Sequence, residues 1–145
     1  PELSLPAVAD QVMGALGKYD FVVTNFANGD VIGHTQNTAA KLEACKHVSH
    51  YLDVVVHDAL AKGYVVAVTA DHGNADEMEE KKKNPEDKAK PKTSHTLNPV
   101  PFIIRGADIE LKDGDFGLSN VAATAVELMG LEVPEGWNES MLAKK

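Results

Sequence analysis

A chain of 145 residues, 43% hydrophobic and 25% charged, has the composition of a soluble globular protein and enough length for one core. Its 22 acidic residues against 14 basic ones give a formal net charge of -8, which argues against a general nucleic-acid binder. The single cysteine, Cys45, excludes an intramolecular disulfide and a thiolate zinc site. No stretch is apolar for long enough to read as a membrane span, and Pro1-Glu2-Leu3-Ser4 lacks the pattern of an export signal. The expectation is a cytoplasmic α/β protein without nucleic-acid or membrane partners.

Ser4-Leu5-Pro6 predicts a helix start, running to about Leu16 and stopping at Gly17. Phe21-Val22-Val23-Thr24-Asn25 reads as a buried strand, and Phe26 to Gln36, with Gly29 and Gly33, as a loop. A long helix is expected from Asn37 to Lys62, with Cys45, Val48, Leu52, Val55, Val56 and Ala59 on its core face. Gly63 closes it before a second buried strand over Tyr64 to Thr69. Strand, helix, strand implies a right-handed unit with parallel pairing. Residues 79–92 hold six lysines and four acids, the pattern of a solvated charged insertion, with a docking patch as the functional alternative. Val100 to Arg105 is a third strand, and the missing crossover helix before it predicts antiparallel pairing. A last helix runs from Ser119 or Asn120 to Met129, and the tail from Leu131 is expected to be irregular and packed by Trp137.

Chemistry gathers where these strands end. Asn25, Asn28, Asp30 and His34 follow the first strand, Asp71 and His72 follow the second, and His95 precedes the third. An antiparallel third strand would return His95 to the edge that holds the other four. Singly, Asp30 also reads as a turn residue, His34 as a loop hydrogen-bonder and Asp71 as a helix N-cap. Jointly, two carboxylates and three imidazoles suit manganese, zinc, iron or cobalt better than calcium. His47, His50 and His57 fall on the polar side of the long helix and read as a solvated face. Ser94 is a poor nucleophile, because neighbouring side chains seldom converge and a metal-bound His95 could not act as its base.

Three segments resemble one family. Asn25-Phe26-Ala27-Asn28-Gly29-Asp30-Val31-Ile32-Gly33-His34-Thr35, Thr69-Ala70-Asp71-His72-Gly73-Asn74-Ala75 and Thr93-Ser94-His95-Thr96 are similar, in order, to motifs of the cofactor-independent phosphoglycerate mutases. The resemblance implies an alkaline-phosphatase-like sheet flanked by helices, mostly parallel with an antiparallel strand near 100–105, and truncated at its amino-terminal side. Residues 1–145 would be the carboxy-terminal part of a metal-binding phosphatase-like domain. By the same resemblance, Asp30, His34 and His95 would hold one manganese ion, and Asp71 and His72 an incomplete second site. The family interconverts 3-phosphoglycerate and 2-phosphoglycerate in glycolysis through a phosphoserine, with no 2,3-bisphosphoglycerate requirement.

Family members are several times longer, and their nucleophilic serine and arginine-bearing insert have no counterpart here, where Arg105 is the sole arginine. The chain alone is therefore expected to be inactive, to bind one ion weakly or none, and to need the missing amino-terminal part as partner. An uncovered sheet edge would favour self-association. Another metal-dependent phosphatase of that superfamily, or a non-catalytic metal-binding module, remain the alternatives.

Overall fold

A computed structural model describes residues 1–144. Helix α1 spans Leu5–Ala15, with Ser4 at its N-cap and Pro6 in its first turn. Helix α2, Asn28–Gly33, forms where the glycine-rich composition suggested loop. Two glycines in six residues disfavour a helix intrinsically, so tertiary anchors must hold it. Asn28 is buried, and its Nδ2 donates to the carbonyls of Pro1 at 2.7 Å and Glu2 at 2.8 Å. Thr35 Oγ1 closes the far end by donating to Ile32 O at 2.7 Å.

Helix α3, Thr38–Ala61, is capped by Asn37, whose side chain accepts from Ala40 N at 3.0 Å. It ends at Gly63, whose φ of +82° is a conformation that disfavours any residue with a Cβ. Its core face is Lys41, Ala44, Val55 and Ala59. Cys45 is exposed, a correction to the expected core position: the buried stripe is set by the contacts with α1 and α2 and runs one residue earlier there. The Lys41 stem is buried while its Nζ donates to Lys92 O, so the charged head is spent on a backbone carbonyl.

Strand β1, Val66–Thr69, and strand β2, Phe102–Arg105, pair antiparallel, as the chain order required, with Val66 opposite Arg105 and Thr69 opposite Phe102. Both are half-buried on alternate residues rather than buried throughout, because this two-stranded sheet is covered on one face. The strand expected over Phe21 to Asn25 does not form among the described residues, so the parallel pairing is absent. A strand needs a neighbour to pair with; here Val23 is 76% exposed, and Tyr64 Oη fixes the preceding loop through Gly17 N and Tyr19 O.

A short 3-10 turn, Leu118–Asn120, leads into helix α4, Val121–Leu128. The tail is irregular as expected, but Trp137 is 50% exposed and does not pack it. Met141 and Leu142 are buried instead, and buried Thr124 Oγ1 accepts from Met141 N at 2.9 Å. Backbone bonds from Lys112 N to Met141 O and from Ala143 N to Glu110 O, both 2.8 Å, complete the clasp. Among the described residues no helix is long and apolar enough to cross a membrane.

Candidate metal centre

The antiparallel register decides where the chemistry lies. Thr69 at the end of β1 faces Phe102 at the start of β2, so the segments after one and before the other share an edge. Thr69 Oγ1 donates to Pro101 O at 2.9 Å, and a further bridge joins Gly73 to Thr96 through a Thr96 N to Gly73 O bond of 2.8 Å. His72 and His95 are thereby carried side by side, with their rings stacked at 3.7 Å. Helix α2 supplies the rest, since a spacing of four places Asp30 and His34 on one face of a helical turn.

These residues converge. Asp30 Oδ1 lies 2.9 Å from His95 Nε2 and 3.1 Å from His34 Nε2, and the two Nε2 atoms are 3.1 Å apart. His72 Nε2 stands 3.8 Å from the same Asp30 oxygen and 3.7 Å from Asp71 Oδ1. Asp71 itself is 77% exposed and adds a carboxylate at the rim of a cleft of about 340 Å³. Of the sequence-derived set, Asp30, His34 and His95 converge, His72 stands next to them, and Asp71 lies further out on the cleft lining. Of the other histidines, His57 pairs with Asp53, His47 lies 4.0 Å from Glu2 and His50 packs edge-on against Tyr51. Ser94 is exposed beside the site.

Protonation follows from the partners. His34 Nδ1 sits 2.7 Å from the Thr93 carbonyl, which can only accept, so Nδ1 carries a hydrogen and Nε2 is the atom turned toward Asp30 and His95. His72 Nδ1 faces the Gly73 carbonyl at 3.2 Å with the same consequence. The Asp30 carboxyl is held below its ordinary value of 3.8, first by the Asn74 amide, which donates to Oδ1 at 2.9 Å, and then by the three imidazoles. Asn74 does this at a cost: its own Oδ1 is buried without a hydrogen-bond partner, and Gly33 approaches so closely that a Cβ there would overlap the amide.

A carboxylate oxygen and two imidazole nitrogens about 3 Å apart need positive charge among them, which ring protons or a bound cation can supply. Two ligands each about 2.1 Å from one ion, at angles between octahedral and tetrahedral, lie about 3.0–3.4 Å apart. The spacing and the mixed Asp/His chemistry fit a divalent transition-metal ion. Asn74 is the member that sequence reasoning missed, although it stands inside the second motif; its role is visible only once Asp30 is placed beside it.

Comparisons with known proteins agree with this geometry. A family model described as the metalloenzyme superfamily matches residues 1–133. A 2,3-bisphosphoglycerate-independent phosphoglycerate mutase of Ruegeria pomeroyi is 42% identical over 146 residues, covering 98% of this chain and 28% of that protein. The corresponding protein of Wolinella succinogenes is 39% identical over 137 residues, covering 93% of this chain and 26% of its own length. Among solved structures, Leishmania mexicana phosphoglycerate mutase at low cobalt concentration superposes with a TM-score of 0.90 at 34% identity, over 100% of this chain and 29% of that one. The chain spans about a quarter of the length of the curated relatives it matches. Its fold is that of the matching part of the phosphoglycerate mutase, an alkaline-phosphatase-like α/β domain. With its family model matched over residues 1–133 and Asp30, His34 and His95 gathered at one sheet edge, the chain belongs to the metalloenzyme superfamily.

Proposed function

We propose that this chain is the carboxy-terminal part of the phosphatase-like domain of a cytoplasmic, glycolytic phosphoglycerate mutase that interconverts 3-phosphoglycerate and 2-phosphoglycerate without 2,3-bisphosphoglycerate. The observation that carries the reading is the triangle of Asp30 Oδ1, His34 Nε2 and His95 Nε2, with sides of 2.9–3.1 Å. These three would hold one manganese ion, and Asp71 with His72 would contribute to a second. Bound there, the ions would act as Lewis acids on phosphoryl oxygens and would lower the pKa of a serine hydroxyl supplied from outside this chain.

The chain's own residues prepare that chemistry. Asn74 keeps Asp30 ionised and oriented, and the carbonyls of Thr93 and Gly73 fix which nitrogen His34 and His72 present. Phe21, Val23 and, on the outer face of the sheet, Ile103 are exposed and apolar, which suits a surface that further protein covers. In isolation the same surface favours self-association.

Reconstitution tests the reading. The 145-residue chain alone should give no mutase turnover at any manganese concentration, because in-line phosphoryl transfer lacks its nucleophile. Adding the amino-terminal part of a relative should restore turnover, and His34→Ala or Asp71→Ala should abolish it again. Robust turnover by the chain alone, or restored turnover that survives both substitutions, would refute the assignment.

A further inference from the structure

We propose that Asp76 is a positioning residue for the metal centre, acting through Thr96 to hold His95 in its ligating place. This rests on the metal-site reading above and concerns a residue that touches none of the converging atoms. His95 lies outside helix and strand, and the backbone bond beside it, Thr96 N to Gly73 O, fixes the main chain and leaves the ring to side-chain contacts. A polar clip adds to that hold. The Asp76 carboxylate accepts from Thr96 Oγ1 at 2.9 and 3.1 Å, and from Asn98 Nδ2 at 2.8 Å. Asn98 Nδ2 also reaches Glu77 Oε1 at 2.8 Å, and Glu77 pairs with Lys92 on the other side of His95. His95 is thus flanked on both sides by residues fastened to the segment that carries His72.

The clip needs close approach. Thr96 is buried, and it lies so near Gly73 that a Cβ added there would overlap its Oγ1 and the Asp76 carboxylate. Both arms of the clip are charge-assisted, the stronger class of hydrogen bond. The backbone bond from Thr96 N to Gly73 O sets the segment, and the Thr96 hydroxyl adds a side-chain hold next to His95, whose ring stacks on His72 and lies 2.9 Å from Asp30. Supporting bonds one shell out from a metal commonly change affinity by about 10–100-fold when removed.

The test uses Co2+ alone as probe, with imidazole carbon–proton NMR as a readout independent of metal. Asp76→Ala and Thr96→Val should each weaken Co2+ binding by about 10–100-fold, and Thr96→Ser, which keeps the hydroxyl, should retain near-native affinity. In the metal-free protein, the ring-current shifts that His72 and His95 impose on each other should collapse in the first two variants, while the signals of His47, His50 and His57 stay in place. Unchanged Co2+ affinity and ring shifts in Asp76→Ala and Thr96→Val would overturn the proposal and leave the metal site standing. Movement of all six histidines together would also overturn it, because Asp76 would then support the fold at large. Failure of the unaltered chain to bind Co2+ would refute the metal site itself and the positioning role with it.

Discussion

At the scale of single residues, the site is a carboxylate surrounded by donors it cannot do without. Asp30 draws on the Asn74 amide and faces three imidazoles, and its ionised form is favoured by each of them. The residues that converge here, Asp30, His34 and His95, were singled out from the chain, because Asp and His side chains announce their chemistry. The supporting groups were not. An asparagine, a threonine carbonyl and a glycine have no chemical signature until the fold puts them at 2.7–3.2 Å from a ligand. Asn74→Ala removes the donor to Asp30 Oδ1, and metal affinity should fall by about 10–100-fold with the fold intact. Titration of a divalent metal with circular dichroism as the fold control checks this, and unchanged affinity would show that the amide is incidental.

At the scale of elements, local pattern located the helices within a residue or two and failed where tertiary contacts decide. Thr38–Ala61 and Val121–Leu128 lie where helical spacing and end signals put them. Asn28–Gly33 was missed because its glycines mask a helix that buried Asn28 anchors from outside. The strand at Phe21 was overpredicted for the opposite reason, since β-propensity describes a surface that needs a partner. The misplaced Cys45 shows how weakly periodicity alone locates a core face, and Trp137 shows that a large apolar side chain need not be the one that packs. In the tail, Thr124 does the work expected of Trp137: its hydroxyl donates to Asn120 O at 2.7 Å and accepts from Met141 N. Thr124→Val keeps the shape but strands a buried N–H, and should cost about 1–3 kcal/mol in denaturant unfolding. Metal affinity measured on the same variant should not change, which separates the clasp from the site.

At the scale of the whole molecule, the site joins three segments that are distant in sequence, so its integrity and the fold's depend on the same carboxylates. Asp30 and Asp76 are held below 3.8, Asp76 chiefly by the Asn98 amide, and Glu77 is held below 4.5, chiefly by Lys92. A carboxyl whose value is lowered by folding stabilises the native state above its unfolded value. That contribution is lost as pH falls through the lowered one. Stability should therefore decline as pH drops below about 4.5 and continue to fall below 3.8. Asp76→Asn should flatten that slope, as followed by denaturant midpoints across the acid range. An equal slope in both proteins would mean the clip forms no more strongly with a charged carboxylate than with an amide.

Calorimetric titration with Mn2+ decides whether Asp30, His34 and His95 form a metal site already assembled in this chain. Titration should give one ion per chain with modest affinity, and no measurable binding in Asp30→Ala or His95→Ala proteins of unchanged helix content. Binding of equal strength in those variants, or two tight ions per chain, would contradict such a site.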